Sequence, residues 1–190
     1  MRKVLLGISL YGCLLAADTP YWVQPCTNPD TSCRAGDVEL ASWALEAWQT
    51  ASNGRLHFVP AKDEESSLLR LIWATPSEGL YGETRAILVN GRRGAQIFVN
   101  LAAANSKDPL LRETIAYLTC LHESGHALGL SHTDQFDDIM YSFQFGGDIP
   151  EYFGRYRKKL MKREDIRKYS GLSPADRMHL LERLAEVTAH

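Results

Sequence analysis

Apolar residues recur along this chain in two rhythms, and the changes of rhythm divide it into elements. Between residues 37 and 54, Val38, Ala41, Leu45 and Trp48 fall at helical spacing, with Trp43 and Ala44 widening the stripe. Asp37 is placed to cap the start of that helix and Gly54 to end it. Before it, Tyr21-Trp22-Val23-Gln24 is a short aromatic and β-branched run that predicts a first strand. Three more strand patterns follow: 56–59 and 68–73, both expected as inner strands, and a hairpin of 84–89 with 95–100 whose turn falls to Asn90-Gly91 and Gly94. From 110 to 128 the rhythm is helical again, opened by Asp108-Pro109 as cap and first helical residue. Here apolar residues stand on nearly every side, among them Leu111, Ile115, Leu118, Leu121 and Leu128, and a helix apolar all round is a buried one. A last helical stretch, 172–184, begins at Ser173-Pro174-Ala175-Asp176, where Ser caps, Pro takes the first position and Asp favours the dipole.

Composition narrows the picture. The 190 residues, 45% hydrophobic, suit one globular domain with ample material for a core. The chain opens Met-Arg-Lys, continues through an apolar run over 4–15 and reaches Ala16-Ala17, the layout of a secretory signal. That run is too short to span a bilayer as a stable helix. Cleavage after Ala16 or Ala17 would separate a signal peptide, 1–17, from a domain of 18–190. Leu10-Tyr11-Gly12-Cys13 also resembles an imperfect bacterial lipobox, so a lipid anchor on Cys13 is the alternative, and a buried N-terminal element in the mature fold is a third. The formal charge is −2, and losing a leader with two cations and no acid leaves −4, which argues against a nucleic-acid partner. Export permits a disulfide, and Cys26 and Cys33 enclose the turn-forming Asn28-Pro29-Asp30, which would bring them together. Cys120 reads as a small buried hydrophobe, and His57, His179 and His190 as surface residues.

The chemistry concentrates in 122–140. Four residues apart on a helix, His122 and His126 stand on one face a turn apart and can close on a single ion. Neutral imidazole suits Zn2+, and a catalytic zinc needs three protein ligands and a place for water. Continued as helix, the chain would carry His132 through about 600° and more than a turn of rise, out of reach. Gly129 lies where the helix must stop, since glycine takes a left-handed cap without a Cβ penalty, and the reversal swings His132 back. Glu123 points about 100° away from His122, the position of a base rather than a ligand. Zinc lowers the pKa of its water from about 15.7 to about 7, removing on the order of 12 kcal/mol from the cost of hydroxide. Glu123 then has only to carry the proton from the water to the leaving amine. This residue set serves hydrolysis of an unactivated carbonyl.

His122-Glu123-Ser124-Gly125-His126-Ala127-Leu128-Gly129-Leu130-Ser131-His132, with Met140 eight residues on, resembles the metzincin signature H-E-x-x-H-x-x-G-x-x-H with its Met-turn, and most resembles the matrixin (matrix metalloproteinase) branch. The resemblance implies an α+β fold of metzincin type: a mixed twisted sheet with an antiparallel edge strand over the cleft, two long helices behind it and a C-terminal helix. It makes Met140 the floor beneath the zinc, not a ligand, and leaves Tyr141 to pack or to line the cleft. The tyrosine ligand that some metzincins carry two residues after the methionine is replaced by Ser142. By the family's order 84–89 is the edge strand, and Ala86, Ile87 and Leu88 are the expected substrate-binding positions, an extended peptide pairing antiparallel to them.

The chain also departs from the family pattern. No histidine occurs between Trp73 and Thr119, so a structural zinc is not expected, and no calcium site is assigned. Cys26-Thr27-Asn28-Pro29-Asp30 is superficially similar to the family's cysteine switch but lacks its glycine and arginine, and a switch is not expected. An insertion, 143–171, follows the Met-turn where the family reaches its last helix quickly. Its 151–169 segment holds eight cations and three acids, and Phe153, Tyr156 and Leu160 share a helical face, predicting an amphipathic helix docked near the cleft with a basic side that is solvated or, as the alternative, favours acidic substrate residues or a partner. The function expected is that of a monomeric, secreted or periplasmic zinc endopeptidase acting on proteins or peptides. The alternatives are an inactive zinc-bearing domain that binds peptides or a partner, which would have no use for Glu123, and an amidase acting on cell-wall peptides.

Overall fold

The computed structural model describes residues 18–75 and 81–188. The leader with its cleavage point and Cys13, and the terminal His190, lie outside the described residues. Five strands, β1 (Asp18–Val23), β2 (His57–Pro60), β3 (Leu69–Trp73), β4 (Gly82–Val89) and β5 (Arg92–Val99), form one sheet in the order β2-β1-β3-β5-β4. All neighbours are parallel except β4, which runs antiparallel to β5 as an edge strand. Four helices accompany them: α1 (Asp37–Ala51), α2 (Pro109–Ala127), α3 (Ile149–Arg157) and α4 (Pro174–Thr188). This is the α+β architecture expected, with a mixed sheet and an antiparallel edge.

The sheet presents alternate residues to the core, Leu69, Leu71 and Trp73 from β3 and Ala95, Ile97 and Val99 from β5, as strand pleating requires. Against them pack α1, through Leu40, Ala44, Leu45 and Trp48, and the almost wholly buried α2. Trp48 is fully buried, and its indole N–H donates to Leu121 O at 2.9 Å, joining the two helices without stranding a polar group. Asp108 caps α2 by accepting from the amides of Leu110 and Leu111. The β4–β5 hairpin turns on Asn90 and Gly91, both with positive φ, the pair a two-residue turn of this hand demands.

Several expectations are corrected. Asp37 is not the cap of α1: Gly36 holds that position, and Asp37, the first helical residue, takes Arg112 of α2 in a buried ion pair. β2 is not an inner strand, because it pairs only with β1, at the far edge of the sheet from β4. Gly94 belongs to β5 and not to the turn; a Cβ there would collide with the Leu68 carbonyl, which accepts from the Ala95 amide.

The helix expected within 143–171 is present at the cleft, which Ile149, Tyr152 and Phe153 line, but it is shorter than expected. α3 stops at Arg157 and a 3-10 turn covers Arg163–Arg167. The Asp165 carboxylate accepts from the amides of Met161 and Lys162, which a continuing helix would need for its own ladder. Phe153, Tyr156 and Leu160 are buried as expected. The basic side chains are not simply solvated: Arg157 pairs with Asp108, Arg163 with Glu39 and Glu113, and Arg167 with Glu46. Arg163 also lies over the Trp43 ring at 4.6 Å, so the segment straps α1 and α2 from outside.

Candidate active site

Near the C-terminal end of α2, His122 and His126 project from one face, and the helix closes in a Schellman motif. Leu130 N donates to Gly125 O at 3.0 Å and Gly129 N to His126 O at 2.9 Å, with Gly129 at φ 88°. The reversal brings His132 back over the helix. Its Nε2 lies 3.2 Å from His122 Nε2 and 3.0 Å from His126 Nε2. Backbone carbonyls orient two of the rings: His122 Nδ1 is 2.6 Å from Ile139 O and His126 Nδ1 is 2.9 Å from Leu130 O. A carbonyl can only accept, so both Nδ1 atoms carry the proton and both Nε2 atoms offer a lone pair.

Burial pushes His122 down to about 4 and lowers His132 as well, so both favour the neutral form. A single proton on His132 Nε2 is poor compensation for three converging nitrogens; a cation suits all three. Bonds of about 2.0–2.1 Å to a tetrahedral zinc place ligand nitrogens about 3.3–3.4 Å apart, close to the separations found. Among the described residues these histidines form a group that could hold a metal ion.

Glu123 is buried beside them and shares their cavity, a cleft of about 800 Å³ between β4 and the segment after residue 140. Burial raises its carboxyl to about 7, opposed by a hydrogen bond from Thr84. The Thr84 hydroxyl lies 2.8 Å from Glu123 Oε2 and 2.9 Å from the Glu123 carbonyl. Gly82 makes room for the same side chain, since a Cβ there would stand 2.6 Å from Glu123 Cγ and Oε1.

Met140 is buried below, its sulfur against Gly125, where a Cβ would collide with it. The turn carrying Met140 is pinned from two sides. Thr133 N donates to Met140 O at 2.8 Å, and the Asp176 carboxylate accepts from the Ile139 and Met140 amides. Asp176 also closes the Ser173 cap of α4, so one buried carboxylate ties that helix to the turn.

Of the other residues singled out in the sequence, Ala86 and Tyr141 line the cleft, whereas Ile87 and Leu88 lie beyond its lining and Leu88 is 74% exposed. Tyr141 donates to Gly146 O at 2.8 Å, bracing the loop that follows it. Cys26 and Cys33 form a disulfide outside the cleft, and Cys120 is fully buried in the core. Thr84, Gly82, Gly125 and the turn-holding role of Asp176 escaped sequence reasoning. An isolated glycine at a strand start, as at Gly82, was the one available signal of close approach.

The matrixin family model matches residues 23–148, from the end of β1 to the doorstep of α3. The match thus stops before α3 and does not reach α4. No match is found among curated proteins. With two thirds of its length matched and its sheet, helices and three converging imidazoles arranged as described, the chain belongs to the matrixin family of zinc-dependent metalloproteases.

Proposed function

We propose that the protein is a secreted zinc endopeptidase in which His122, His126 and His132 hold the metal, Glu123 is the general base, and Gly129 and Met140 support the site. The observation that carries this is the convergence of three Nε2 atoms, His132 Nε2 being 3.0 and 3.2 Å from the other two, in one cavity with a buried carboxylate. A zinc ion bound there would act as a Lewis acid, polarising the scissile carbonyl and bringing the pKa of a water to about 7.

The chain's own part follows from its geometry. The edge of β4 offers unpaired backbone groups to an extended peptide, with Ala86 at the wall of the cleft. Glu123 takes a proton from the attacking water as its oxygen bonds to the carbonyl carbon, then gives that proton to the amine nitrogen as the C–N bond breaks. Thr84 and Gly82 hold the carboxylate in one orientation for both transfers. The leader pattern and the Cys26–Cys33 disulfide support export. No helix among the described residues is long and apolar enough to cross a membrane.

The test is hydrolysis of a casein-like substrate, expected to be abolished by a chelator and restored by zinc. Glu123→Ala is expected to keep zinc and lose nearly all turnover, and His132→Ala to lose the metal. Full activity in Glu123→Ala would overturn the assigned roles.

A further inference from the structure

Beside the cleft, α3 helps to close a second cavity, of about 600 Å³, that peptide hydrolysis itself does not use. Leu118 and Tyr152 line both cavities and so form the partition between them. The second is lined by four cations, Arg155, Lys159, Lys168 and Arg177, against one acid, Asp137, in a chain whose formal charge is −2. Two of the cations are occupied: Arg155 pairs with Asp137, and Lys168 with Asp165 at 3.0 Å. Lys159 and Arg177 have no acidic partner among the described residues, and Arg177 meets the Ser170 hydroxyl at 3.1 Å. The positive charge collected here is therefore open to an acid from outside.

The direction of a bound peptide says which part of it comes near. Antiparallel to β4, a substrate runs its C-terminal half toward the start of that strand at Gly82. There the Tyr81 ring lies 5.5 Å from Phe153 of α3. Residues downstream of the scissile bond therefore leave the cleft past α3, where Arg155 and Tyr156 follow Phe153 within one turn and Lys159 lies just beyond the helix end. We infer that the basic cavity receives acidic side chains downstream of the scissile bond, making peptides with an acidic C-terminal flank the preferred substrates. This rests on the peptidase reading. Guanidinium and ammonium groups at a partly open site steer and orient carboxylates, with an effect that salt weakens.

The experiment compares two fluorogenic peptides that are identical around the cleaved bond and carry three Asp or three Asn downstream. Each is assayed with the zinc-loaded wild-type protein and with the Lys159→Glu/Arg177→Glu double variant. The wild type is expected to favour the Asp peptide about fivefold in kcat/KM at low ionic strength, a preference that fades with added salt. In the double variant the ratio is expected to fall to about one or below. Because the readout is a ratio, it does not depend on how much of each preparation is folded. Anisotropy of the labelled peptides on zinc-loaded Glu123→Ala protein is expected to give the same order of binding. A wild-type ratio of one, or an equal ratio in both proteins, overturns the inference. Failure of the wild type to cut either peptide overturns the peptidase reading instead, and the anisotropy ratio then decides the cavity's role alone.

Discussion

Replacing Thr84 by Val removes a hydroxyl 2.8 Å from Glu123 Oε2 while keeping the β-branched shape that suits β4. A hydrogen bond to a charged group is worth about 1.5–3 kcal/mol. Here one hydroxyl proton is shared between the carboxylate and the Glu123 carbonyl at 2.9 Å, which puts the loss at the lower end or below, about 1–1.5 kcal/mol. If that interaction orients the base in the transition state, kcat falls about 5- to 13-fold. KM and zinc content stay near those of the wild type, because Thr84 is not among the converging groups. The pH profile carries a second signature. The hydroxyl lowers the Glu123 pKa, so its loss lets the carboxylate hold its proton more tightly. The active base is the deprotonated form, so the acid limb of kcat/KM moves to higher pH. Thr84→Ser, which keeps the donor, restores both. Steady-state kinetics from pH 5 to 9, with metal analysis of each variant, decide the matter. A Val variant with unchanged kcat and acid limb, or a Ser variant as poor as Val, would refute the reasoning.

Other substitutions probe the remaining supports. Gly82→Ala places a methyl 2.6 Å from Glu123 Cγ, and displacing the base is expected to cost about 10- to 100-fold in kcat with the urea midpoint little changed. Arg112→Met leaves Asp37, whose side chain is 2% exposed, buried without its counter-charge; urea denaturation should show a loss of about 3–5 kcal/mol, most of it recovered when Asp37→Leu is added. Replacing Cys26 and Cys33 together by Ser opens a loop with a sequence separation of 7, which chain entropy values at about 2–2.5 kcal/mol, measurable by calorimetry as a fall in Tm of about 5–10 °C.

Much of the site was legible because it is local. His122 and His126 need only a helix to share a face, Gly129 needs only its missing Cβ to end that helix, and both conditions lie within the segment itself. The same holds for the Asp108 and Ser173 caps, the Asn90-Gly91 turn and the loop joining Cys26 to Cys33. The end of the helix in the basic segment was not legible because the competition for it comes from one carboxylate, Asp165, that periodicity does not register, and because the segment's charges are answered on α1 and α2.

What the residues determined alone, then, was the rhythm of the elements, their caps and the spacing of three imidazoles about a helix end, since propensity and turn geometry act over a few neighbouring residues. Only the tertiary structure decided that β2 is an edge strand, that Asp37 belongs to Arg112 75 residues away, that Thr84 reaches Glu123 across 39, and that four cations gather behind Tyr152. Each of these depends on the order in which distant segments meet to bury apolar surface, and one-dimensional spacing carries no record of that order.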